Sequence, residues 1–163
     1  MISNNINIVA QNYFKDWQFK FSAVNKQKEE MGKLIFTIDE INNRTIINVI
    51  ETNQEYKRQG IATALLVAME YVSLKHFKIS TIVGDFGPFK RDKHGKIKDV
   101  SEEEKQNILD FYGVNGYAFD RRTRQIEKKI SKPAIEYKKV VHCSLRESKC
   151  FLNDNQTEEQ LEI

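Results

Sequence analysis

The residues of this chain whose types and spacing are best suited to chemistry are Lys57-Arg58-Gln59-Gly60-Ile61-Ala62-Thr63. Before them runs Thr45-Ile46-Ile47-Asn48-Val49-Ile50-Glu51-Thr52, whose β-branched content predicts a strand. After them, Ile61 to about Lys75 places Ile61, Leu65, Ala68, Met69 and Val72 on one helical face. A strand that turns through a glycine loop into a helix aims several unpaired backbone N–H groups, and the positive end of the helix dipole, at one point. Such a point holds phosphate. Gly60 admits close approach of a ligand to the backbone, and Ala62 keeps the helix entry narrow.

Spelling separates the phosphate-binding alternatives. A P-loop needs Gly-Lys-Ser/Thr after four spacer residues, whereas Gly60 is followed by Ile61-Ala62. The dinucleotide fingerprint needs three glycines, and only Gly60 is present. The stretch Lys57-Arg58-Gln59-Gly60-Ile61-Ala62 resembles the acetyl-CoA loop of the GNAT acetyltransferase superfamily, Arg/Gln-x-x-Gly-x-Gly/Ala, with Lys at the first position. Downstream, Phe111-Tyr112-Gly113-Val114-Asn115-Gly116-Tyr117 resembles the Phe-Tyr-x-x-x-Gly-Phe that ends the fourth helix of the same family. The order between the two motifs is helix, strand (Ile79 to Val83), helix (Glu102 to Tyr112), as in the family. The resemblance covers about residues 45 to 120.

It implies an α/β (α+β) GNAT fold, a mixed central sheet with flanking helices, and direct transfer of acetyl from acetyl-CoA to a primary amine. Such a transfer needs the pyrophosphate held, the carbonyl polarised, the amine deprotonated and the leaving thiolate protonated. By resemblance, Lys57, Arg58, Gln59, Gly60, Ile61, Ala62 and Thr63 hold the pyrophosphate. Backbone N–H groups on the preceding strand, at Ile50, Glu51 and Thr52, take the carbonyl-polarising role. Tyr112 stands where many family members place the proton donor to sulfur, and a phenol stays protonated at neutral pH. Glu51 is the candidate general base, directly or through water; a solvated edge carboxylate and a water chain are the alternatives.

Composition bounds these readings. The 163 residues suit one domain, here 1–145, followed by a polar acidic tail from 146 to 163. Hydrophobic content of 40% and charged content of 30% suit a globular core and exclude a disordered chain. The formal net charge of +3 neither demands nor excludes an acidic partner. No secretory signal and no apolar run of membrane-spanning length is visible. Two cysteines, Cys143 and Cys150, are no disulfide framework, so a reduced cytoplasmic setting without membrane attachment is the expectation. His76, His94 and His142 are scattered without ligand spacing, so no metal is expected.

The remaining elements must position these residues. Ile6, Ile8 and Val9 suggest a first edge strand. Trp17, Phe19, Phe21 and Ala23 alternate onto one face, as do Leu34, Phe36 and Ile38. With Asn42-Asn43 as a turn, the pattern predicts an antiparallel meander feeding the loop. No run before residue 45 has helical periodicity, so the family's N-terminal helices are either missing or reduced to the short Asn25–Met31 link. That implies a more open acceptor cleft.

Asp85 to Val100 reads as a loop, either a solvated basic loop or a flap for an acidic acceptor surface. Ser101 before Glu102-Glu103-Glu104 is a capping box, which makes those carboxylates structural. Ala134 to Cys143 reads as the last strand, pairing near Tyr117–Asp120, and residues 147 to 163 read as a loose tail.

The acceptor stays open. The missing helices and the basic segment favour a protein lysine or N-terminus, or an aminoacyl-RNA, over a small enclosed amine. Family dimers commonly form through C-terminal strands, which makes a homodimer an expectation. The other readings are a catalytically inactive CoA-binding sensor or partner, and a nucleic-acid-binding module using the basic stretches 90–98 and 121–139.

Overall fold

Alternation of apolar and polar residues builds the first half of the chain. The computed structural model describes residues 6–13, 17–86, 89–91, 93–131, 140–144 and 149–153. Two compact units divide the chain, one formed by 1–82 with 129–163 and the other by Val83–Lys128.

In the first unit β1 (Asn7–Asn12), β2 (Gln18–Val24), β3 (Glu30–Asp39) and β4 (Arg44–Thr52) form the expected antiparallel meander. Phe19, Phe21, Ala23, Leu34, Phe36 and Ile38 are buried, as their period-2 spacing requires. Phe36 stacks on Phe19 at 5.6 Å and meets Phe21 edge-on at 4.9 Å. Trp17 does not share that face. It lies in the turn ahead of β2, half exposed, where its carbonyl accepts the Ile38 N–H at 2.7 Å. The pleat that would carry the alternation back to it has not begun.

Only residues 13–17 separate β1 from β2 in the sequence. Among the described residues, no helix precedes the 3-10 turn at Gln54–Tyr56. The Asn25–Met31 link is no helical remnant either. It joins β2 to β3, and the Asn25 side-chain oxygen accepts the N–H groups of Gln27 and Glu29 to make a tight turn.

β1 is not an edge strand. It also pairs antiparallel with β11 (Lys149–Asn153), a strand inside the span expected to be a loose tail. Asn7, Ile8, Val9, Ala10 and Gln11 stand opposite Asn153, Leu152, Phe151, Cys150 and Lys149. The Cys150-Phe151-Leu152 run is the apolar segment that the acidic composition of the tail conceals. β10 (Val140–Ser144) pairs with β11 rather than with the 117–120 segment. The remainder of the expected last strand, 134–139, lies outside the described residues.

Helix α1 (Ile61–His76) buries the five residues of its expected face and also Ala64, Leu66, Val67, Glu70, Tyr71 and Ser73. A helix covered on most sides is a core helix rather than a surface one. Its polar Ser73 is paired with Thr45 of β4 at 2.8 Å, which satisfies both buried hydroxyls.

The start of α1 packs so tightly on β3 that Gly32 is required there. A Cβ at Gly32 would stand 2.8 Å from the Glu51 backbone oxygen and 2.9 Å from Ile61 Cγ2. The backbone contact cannot swing aside. We predict that Gly32→Ala lowers stability by about 1–3 kcal/mol through overpacking, read as a lower urea midpoint at unchanged m-value.

The chain passes between units within β5 (Thr81–Asp85). The second unit holds a two-stranded antiparallel ribbon, β6 (Phe89–Arg91) with β7 (Ile97–Asp99), in the segment expected to be a plain loop. The turn of the ribbon carries Gly95 at φ 78°, a backbone state that glycine adopts freely. Helix α2 (Glu102–Val114) starts as its capping box requires, with Ser101 Oγ accepting the Glu104 N–H at 3.2 Å. β8 (Ala118–Asp120) and β9 (Gln125–Lys129) form a hairpin whose turn is held by Asp120 Oδ1, which accepts the N–H groups of Arg122 and Thr123.

Candidate functional site

Gly60 is the N-cap of α1 and sits at φ 80°, ψ 9°, the left-handed region. Arg58, two residues earlier, is also left-handed at φ 64°. No side chain caps the helix. The Gly60 carbonyl accepts the Ala64 N–H at 2.9 Å, so the N–H groups of Ile61, Ala62 and Thr63 have no intrahelical acceptor. Lys57, Arg58 and Gln59 are exposed, whereas the Ile61 side chain is buried and serves packing, leaving its backbone N–H to the loop. These are the elements of an anion cradle. An oxygen-rich pyrophosphate fits it, because donors and helix dipole converge without a competing acidic cap.

Two residues that the sequence reasoning missed fasten this loop. Asn53 bridges back to β3, donating its backbone N–H to the Met31 carbonyl and its side-chain amide to the Glu30 carbonyl at 2.9 and 2.6 Å. Gly32 receives Ile61 as described. No local signal marks either, since each acts on a partner some twenty to thirty residues away.

The third missed residue is Asn48. Ile35 stands opposite Val49 and Phe36 opposite Ile47, so Asn48 is one residue extra, a β-bulge in β4. Its side-chain oxygen accepts from Thr37 Oγ1 at 2.7 Å. An Asn inside a β-branched run was the available clue, because Asn is depleted in strands.

The bulge decides where the residues after it point. Thr45 and Ile47 share the face of Phe36 and Ile38, which α1 covers. After one inserted residue, Ile50 and Thr52 take that face, opposite Leu34 and Gly32. Glu51 turns to the other face, opposite Lys33. There its side chain is 62% exposed and pairs with Lys33 at 3.4 Å. The Asn53 N–H points at β3, so by strand alternation the N–H groups of Ile50 and Thr52 point away from it.

Tyr112 belongs to the second unit. It is buried on α2, edge-on to Phe111 at 5.2 Å and to Tyr117 at 5.5 Å. Desolvation by that burial pushes its phenol up to about 12. The helix end beneath it is firmly closed. Tyr117 N–H donates to the Tyr112 carbonyl at 2.9 Å, Asn115 Nδ2 to the Phe111 carbonyl at 2.8 Å, and Gly116 N–H to the Gly113 carbonyl at 3.0 Å. Lys128 Nζ donates to the Asn115 carbonyl at 2.8 Å, placing a cation at the negative end of the helix.

The structure therefore brings together the Ile50–Thr52 end of β4, the Lys57–Gly60 loop and the first turn of α1 within one unit, and sets Tyr112 in the other. Among the described residues, no cluster of three or more His, Cys, Asp or Glu has metal-binding geometry, and no helix is long and apolar enough to cross a membrane. His76 is half-buried, its Nε2 enclosed without a hydrogen-bond partner among the described residues, and that burial, with Lys78 nearby, holds its pKa below the usual range.

The fold is the GNAT acyl-CoA N-acyltransferase fold, α/β (α+β) with two helices and no N-terminal helix among the described residues. Solved structures that share it include GCN5 of Tetrahymena, at TM-score 0.55 and 10% identity over 76% of this chain and 74% of that one. An acetyltransferase of the GNAT family from Staphylococcus aureus Mu50 matches at 0.51 and 17% identity over 72% and 71%. PaiA N-acetyltransferase from Thermoplasma acidophilum, solved in complex with coenzyme A, matches at 0.51 and 17% identity over 70% and 62%. No protein-family model matches the chain. No curated protein matches it either.

Proposed function

We propose that the protein is an N-acetyltransferase that passes acetyl directly from acetyl-CoA to a primary amine. The observation that carries this reading is the left-handed Gly60 at the uncapped start of α1, which leaves three consecutive N–H groups aimed outward directly after β4. When bound, acetyl-CoA supplies a thioester activated toward nucleophiles. The amides of Ile61, Ala62 and Thr63 hold its pyrophosphate, with Lys57 and Arg58 adding positive charge. The N–H groups of Ile50 and Thr52 polarise the carbonyl. An amide bond forms as the C–S bond breaks, and the Tyr112 hydroxyl donates the proton that the leaving thiolate takes up.

The proton lost by the amine passes to water in this reading. Glu51 has the surroundings of a surface carboxylate: exposed, paired with Lys33, and turned from the α1 face by the bulge. Glu51→Gln is expected to lower kcat/KM by less than about tenfold, under about 1.4 kcal/mol of barrier. Because exposed pairs contribute little, its melting temperature should hardly move. A loss of about 10²–10⁴-fold, with loss of the acid limb of the pH–rate profile, would restore Glu51 as the base.

The acceptor class is a primary amine. That no helix lies between β1 and β2 among the described residues favours one carried on a macromolecule, a protein amine or an aminoacyl-RNA, over a small enclosed one. Isothermal titration calorimetry with acetyl-CoA and with CoA, followed by mass spectrometry of candidate acceptors for an added acetyl group, tests the reading. Binding with no transfer to any primary amine would make the protein a CoA-binding partner. Absence of binding at millimolar acetyl-CoA would overturn the reading.

A further inference from the structure

The second unit carries cationic residues that the acetyl-transfer reading does not use. The turn and second strand of the ribbon expose Lys93, Lys96 and Lys98, and the β8–β9 turn exposes Arg121, Arg122 and Arg124. These two tips, some twenty-five residues apart in sequence, are tied at their roots. The Phe86 N–H, just ahead of the ribbon, donates to the Arg124 carbonyl at 2.7 Å. Phe86 also packs edge-on against Phe119 of β8 at 5.0 Å, and Gln125 Nε2 reaches Asp85 Oδ1 at 3.4 Å. Residues 85–86 and the β8–β9 hairpin are therefore tied together.

Among the described residues, Lys93, Lys98, Arg121, Arg122 and Arg124 make no ion pair. Of the nearby carboxylates, Asp120 holds the turn, Asp85 accepts from Gln125 and Glu102 pairs with Lys105, while Asp99 and Glu127 are exposed on β7 and β9. Lys90 stands directly opposite Lys98 in the ribbon register.

The chemistry of the tips selects among anions. Lys93-His94-Gly95-Lys96 and Arg121-Arg122-Thr123-Arg124 contain no apolar or aromatic anchor. Protein docking sites depend on such anchors, and single-strand binders on aromatic platforms for bases. Phosphate contacts need neither, and guanidinium forks match phosphate oxygens in pairs. A two-stranded ribbon also fits the groove of a duplex. We propose that this double-hairpin face binds the phosphate backbone of a double-stranded nucleic acid without reading its sequence.

The test is fluorescence anisotropy of the full chain with a short labelled duplex DNA, the equivalent duplex RNA, a single strand and poly-glutamate, each from about 50 to 200 mM salt. At least one duplex is expected to bind, with log K falling against log salt at about −0.9 per phosphate contacted. The combined variant Lys93→Gln, Lys98→Gln, Arg122→Gln should reduce that slope by about three while leaving acetyl-CoA affinity unchanged, which also reports that it is folded. Which duplex binds more tightly identifies the natural source as DNA or RNA. No duplex binding at the lowest salt, equal binding of poly-glutamate, preference for the single strand, or a slope unmoved by the variant would each overturn the proposal.

Discussion

Tyr112→Phe is expected to lower turnover by about 10²–10⁴-fold while leaving acetyl-CoA affinity unchanged. The ring contacts with Phe111 and Tyr117 need no hydroxyl, so the variant keeps its packing and loses only the proton. Steady-state kinetics beside calorimetry separates the two effects, and intact turnover would reduce Tyr112 to a packing role. The pH dependence follows from burial. The folded phenol, at about 12, lies above its ordinary 10.0, so the fold favours the neutral form. That contribution is complete below pH 10 and is lost as pH rises through about 12. Tyr112 should accordingly impose no alkaline limb on the rate near neutrality. An ultraviolet titration of wild type against the variant should place the missing phenol transition well above pH 10.

Gly60→Val is the second large effect. At φ 80° a β-branched residue is strained by about 1–2 kcal/mol, and the loop relieves that strain by leaving the left-handed region. The three N–H groups then lose their common aim. A charge-assisted hydrogen bond contributes about 1.5–3 kcal/mol, so each one lost should weaken acetyl-CoA binding by roughly 10- to 100-fold. The fold should survive, because the continuous buried run of α1, Ala64 to Ser73, lies beyond the cap. Gly60→Asn, which tolerates the left-handed state, should retain an intermediate affinity. Circular dichroism melts alongside calorimetry check both variants, and wild-type affinity in Gly60→Val would remove the loop from the binding site.

Features whose physics is local could be read from the residues themselves. The need for glycine at position 60 arises from one residue's own backbone angles. The Ser101 cap spans three residues, and the strands β2 and β3 announce themselves by period-2 alternation. The order of strand, loop and helix around Gly60 follows from those signals, and the resemblance of the two motifs rests on them.

What tertiary structure decided was pairing. The bulge at Asn48, which sends Glu51 away from the α1 face, exists only as a mismatch between β4 and β3. The clash that reserves position 32 for glycine involves Glu51 and Ile61, and the partner of β11 is β1, at the far end of the sequence. The tie from Phe86 to Arg124 is likewise nonlocal. Strand partners are chosen by which faces and edges meet once the chain has collapsed, and a one-residue change of register reverses every side chain beyond it. No periodicity within a single segment encodes that choice. The strand, glycine loop and helix start around Gly60 were therefore legible from the sequence alone, whereas the orientation of the carboxylate beside them required the register of its neighbour.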